Sequence, residues 1–74
     1  MTTAETVAER ALEVARTDDD PDLAVTTLLD AAGERRVAIV RARQLLGERP
    51  GAAGDPAIAR ASELLGAALA RIAE

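Results

Sequence analysis

The chain has 74 residues, a mass of 7.7 kDa and a net charge of −4, and it contains no His, no Cys and no aromatic residue. Those absences remove imidazole bases, thiolate nucleophiles, the usual nitrogen and sulfur ligands of zinc, iron and copper, and any stacking platform for unpaired bases. All nine cationic residues are Arg and 18 residues are Ala, an alphabet rich in good helix formers.

The first predicted element is a helix over about residues 3–17. Thr2-Thr3-Ala4-Glu5 fits a capping box, in which a Thr hydroxyl accepts from a first-turn amide and Glu reaches back. Val7, Ala8, Ala11, Val14 and Ala15 then recur at helical spacing with Leu12 at the border, a narrow apolar face made largely of Ala. Asp18-Asp19-Asp20-Pro21-Asp22 follows. Asp20 suits an N-cap, Pro21 the first helical position, and Asp22 the positive end of a helix dipole.

The second predicted element runs over about 21–48. Val25, Leu28, Ala32, Ile39, Ala42 and Leu46 follow a heptad-like seam interrupted by Arg35. Gly33 is a point at which the segment would divide, but no good N-cap follows it. The reading adopted is therefore one long helix of roughly 40 Å, weakened at Gly33 by about 1 kcal/mol relative to Ala. Arg49-Pro50-Gly51-Ala52-Ala53-Gly54 reads as a loop. Asp55-Pro56 repeats the cap-and-proline device and opens a third helix over about 56–73, with Ile58, Ala61, Leu65, Ala68 and Ile72 as its stripe.

The expected fold is thus all-α: one domain, residues 1–74, built as a small up-down-up three-helix bundle. The segments 38–47 and 57–66 echo one another at an offset of 19 residues, shorter than the common two-helix repeats of about 33–47 residues. Shared helix-building grammar accounts for the echo. A chain this short hides only about 60% of its extended surface, and no disulfide or zinc cluster is available as a staple. Self-association or a larger protein partner is the ordinary remedy, and the seam Val25, Leu28, Ala32, Arg35, Ile39, Ala42 and Leu46 is the surface expected to serve it.

Charge is unevenly distributed. Residues 1–33 hold eight acids against two Arg, residues 34–49 five Arg against two Glu, and residues 50–74 three acids against two Arg. Arg36 and Arg43, seven apart, project to one side and form a candidate anion or nucleic-acid contact, with Arg41 well round the helix. The acidic total and the lack of Lys, aromatic residues or a recognition motif argue against nucleic acid.

Asp18, Asp20 and Asp22 spell the opening of a calcium loop, but Leu23 stands where its Gly belongs and Leu29 where its bidentate Glu belongs. The same run resembles the DDxxD diphosphate motif, which needs a helical cavity larger than this chain can enclose. A turn with an N-cap explains these acids, so no metal or cofactor is expected. Ser62 is the single serine and has no imidazole to activate it, so no catalytic residue is expected. Met1 leads into Thr2, Thr3 and Glu5, unlike a signal peptide, and no apolar run approaches a membrane span. A cytoplasmic, non-catalytic, homo-oligomeric or partner-bound module is the expectation; anion or nucleic-acid binding through the Arg-rich second half of the second helix is the alternative.

Overall fold

The computed structural model describes residues 4–17, 20–33 and 35–73. Over these residues the chain folds into α1 (Ala4–Thr17), α2 (Pro21–Ala32), α3 (Arg36–Gly47) and α4 (Pro56–Ala73), with a single 3₁₀ turn at Ala52–Gly54 inside the predicted loop. The all-α expectation stands, but the bundle has four helices, because the long second helix of the prediction is two. Thr2 and Thr3 of the expected capping box lie outside the described residues, as do Asp18 and Asp19.

Gly33 makes the break. Its backbone is left-handed, at φ 61 and ψ 33, and its N–H is hydrogen-bonded to the carbonyls of Leu29 and Asp30, the manner in which a Gly ends a helix. Arg35 then takes an extended conformation as N-cap of α3. The physical reason lies in size. An unbroken helix of 28 residues would be roughly 42 Å long, whereas the longest dimension of the molecule is 31 Å. Bending at Gly33 lets both halves of the seam reach the same neighbours. α1 and α4 each pack against all the other helices, while α2 and α3 touch each other only slightly.

The two Asp-Pro devices perform as read. The Asp20 carboxylate accepts from the N–H groups of Asp22 at 3.0 Å and Leu23 at 3.3 Å. The Asp55 carboxylate accepts from Ala57 N–H at 2.9 Å. Each satisfies first-turn amides that have no partner within the helix.

The core gathers the apolar stripes of all four helices. Val7, Ala8, Ala11, Leu12 and Val14 come from α1; Ile58, Ala61, Leu64, Leu65 and Ala68 come from α4. Between them sit Ala24, Val25, Leu28 and Ala32 of α2 and Ile39, Ala42 and Leu46 of α3. The echoing segments deliver the same triad, since Ile39, Ala42 and Leu46 match Ile58, Ala61 and Leu65 in both spacing and burial. Among the described residues no polar side chain is buried, so the interior is held by packing alone. Two ion pairs tie distant segments at the surface: Arg49 with Glu9 of α1, and Arg71 of α4 with Asp22 of α2 at 3.0 Å.

Candidate interaction face on α3

The predicted contact seam lies inside the fold. Val25, Leu28, Ala32, Ile39, Ala42 and Leu46 are each 3% exposed or less, so a partner reaches them only by opening the bundle. The correction follows from the break at Gly33: the apolar surface that a continuous helix would have left over is consumed by α1 and α4. Arg35, the misfit of the seam, leaves it altogether. Once the helix ends at Ala32, Arg35 belongs to the connection and its side chain is exposed.

A different surface emerges on the opposite side of α3. At 100° per residue, Val37, Val40 and Gln44 form a line along the helix pointing away from Ile39, Ala42 and Leu46. Val37 is 79% exposed and Val40 38% exposed. Arg36 and Arg43 border the line on one side and Arg41 on the other. Two shallow, open depressions lie here, one of about 550 Å³ lined by Ala4, Arg35, Arg36, Val37, Ala38 and Arg41, the other of about 280 Å³ around Val40 and Gln44.

The electrostatics of α3 run against its own geometry. It carries no acidic residue in its first turn, its N-cap Arg35 makes no side-chain hydrogen bond to the helix, and Arg36 follows directly. Positive charge at a helix N-terminus is unfavourable, by about 0.3–1 kcal/mol per residue when exposed. Among the described residues Arg35, Arg36, Arg41 and Arg43 make no ion pair. Arg41 donates to Gln44 Oε1 at 3.3 Å.

Arg36 and Arg43 were expected to act together. Both are exposed, but Arg43 lies over Gly66 of α4, where an added Cβ would stand 3.8 Å from the guanidinium carbon. Arg43 therefore covers the α3–α4 crossing while Arg36 borders the valine strip. Val37 and Val40 are what the residue-level reading missed. The available signal was phase: both fall off the Ile39-Ala42-Leu46 line and sit among Arg on the polar side.

Of the acidic turn, Asp18 and Asp19 lie outside the described residues, and Asp20 and Asp22 have structural duties. Asp20 caps α2 and Asp22 is paired with Arg71. Among the described residues no group of three acidic side chains is placed to hold a metal ion, and no helix is long and apolar enough to cross a membrane. Comparison with protein-family models, curated proteins and solved structures finds no significant match.

Proposed function

We propose that the chain is a non-catalytic interaction module that meets another protein surface through the outer face of α3. The observation that carries this reading is the exposure of Val37 and Val40 between Arg side chains that have no ionic partner among the described residues. Burying both valines gains roughly 2–4 kcal/mol at the usual area coefficient. Arg at the border supplies planar, multidentate donors for a partner's carboxylates. The cost of Arg35 and Arg36 at the head of α3 points the same way, because departures from local folding rules collect where function needs them.

The test is site-specific photo-crosslinking in the native host, with the photoreactive residue at position 37 and, as control, at the exposed Ala67 of α4. Adducts of defined mass at position 37 and their absence at 67 are expected. Equal labelling at both positions would refute the reading. Anion binding remains the second reading, favoured by the uncapped start of α3 beside Arg35, Arg36 and Arg41. It predicts an electrophoretic mobility shift of nucleic acid at low salt that disappears with Arg36→Ala.

A further inference from the structure

α2 and α3 are helices of opposite and unmixed charge. The sequence of α2, PDLAVTTLLDAA, holds Asp22 and Asp30 and no basic residue, and the sequence of α3, RVAIVRARQLLG, holds three Arg and no acid. The two helices are consecutive, yet among the described residues no ion pair joins them. Asp22 is engaged by Arg71 of α4 and Arg43 lies over Gly66, which leaves Asp30, Arg36 and Arg41 without an ionic partner among the described residues.

The outer face of α2 carries an exposed apolar side chain as well as the complementary sign. Leu23 is 55% exposed, and the described residues hold no other exposed large apolar side chain besides Val37 and Val40. Asp30 lies two turns further along the same line of the helix. Thr26 and Thr27 between them donate to the carbonyls of Asp22 and Leu23 at 2.9 Å, so their hydroxyl protons are already used within the helix. Asp30 also stands near the carbonyl end of α2, where negative charge is unfavourable, just as Arg35 and Arg36 stand at the wrong end of α3.

We infer that the occupant of the α3 face is a second copy of this chain, presenting the Leu23–Asp30 face of α2. This rests on the interaction reading above and names its partner. Leu23 enters the strip between Val37 and Val40, and Asp30 meets the Arg side chains beside it. A single helix-on-helix contact is small against the roughly 800 Å² per partner of a standard stable interface. The association is consequently weak, reversible and sensitive to salt.

Sedimentation equilibrium up to about 1 mM protein reads this directly, since a contact near that strength is half-formed there. The expected mass rises above the 7.7 kDa monomer with concentration, and falls back when salt is raised to about 1 M, where the screening length is about 3 Å. Two variants at exposed positions give the decisive arm: R36E/R41E on α3, and D30R on α2. Each alone places like charges opposite one another and weakens self-association by about tenfold or more. Mixed, they restore a heterodimer, because each face again meets its opposite. Circular dichroism melts establish that each variant is folded. A monomer at every concentration, or association indifferent to these charges, overturns the self-pairing. Crosslinks from position 37 to a different protein would do so while leaving the interaction reading intact.

Discussion

Replacing Gly33 by Ala separates a bent chain from a continuous helix by the sign of its effect. In a continuous helix the exchange removes a poor helix former and stabilises by about 1 kcal/mol. In the structure Gly33 sits at φ 61 with nothing within 4 Å of where its Cβ would be. Space is therefore not the obstacle, and the penalty is that of the backbone alone. A left-handed conformation costs an L-residue roughly 1–2 kcal/mol. Against this, Ala restricts the unfolded chain and recovers about 0.4–1 kcal/mol. The net expectation is a loss of roughly 1 kcal/mol, so the two architectures differ by about 2 kcal/mol. Urea denaturation followed by circular dichroism resolves that difference, and for a domain of this size the same loss lowers Tm by about 4–8 °C. Gly33→Asn is the control, since Asn tolerates the left-handed region better, and it should fall between Gly and Ala. An Ala variant more stable than the parent would refute the bend.

Four further substitutions test other parts of the argument. Gly66 lies in the interior of α4 with only the flexible Arg43 guanidinium near an added Cβ, so Gly66→Ala should raise stability by about 1 kcal/mol in the same urea titration. Leu28→Ala should cost about 2–5 kcal/mol, since Leu28 is fully buried, whereas Val37→Ala should change stability by no more than about 0.5 kcal/mol; comparable losses would mean that Val37 is part of the core. Arg35→Asp gives α3 the side-chain cap it lacks and removes a cation from its positive end, so unfolding free energy should rise by about 1 kcal/mol while partner binding weakens. A variant that gains stability and keeps full affinity would show that Arg35 has no part in the contact.

The local grammar of the chain was readable because each signal is a short-range one. Asp20-Pro21 and Asp55-Pro56 start helices by chemistry contained within three residues, and the stripes of α1 and α4 depend only on spacing. The bend escaped that reading for a specific reason. Val25, Leu28 and Ala32 keep the same heptad phase as Ile39, Ala42 and Leu46 on the far side of Gly33, so periodicity runs through the break without a seam. The same six apolar side chains were identified, but whether they faced a partner or the core depended on the direction of the helix after residue 33. That direction is decided by burial against α1 and α4. Arg35 was the clue, being a charge on an apolar line two residues after a Gly. The strip of Val37 and Val40 escaped because which face of α3 is free depends on where α4 comes to rest.

The junction between α2 and α3 brings the folding and functional arguments to the same residues. A sequence selected only for stability would place a base near the end of α2, an acid or Ser at the head of α3, and polar residues at 37 and 40. This chain has Asp30, Arg35, Arg36, Val37 and Val40 instead. Each departure is small, and none creates an ion pair within the described residues that would offset it. Elsewhere the same chain follows the rules closely, with side-chain caps on α2 and α4, an acid in the first turn and a base in the last turn of α1, and no buried polar side chain among the described residues. Departures confined to one junction and its outward faces have a common remedy, which is a partner carrying the opposite charges and an apolar knob. The proposed contact with α2 of a second copy would supply both, and would thereby turn charges that oppose each helix's own dipole into charges that hold two chains together.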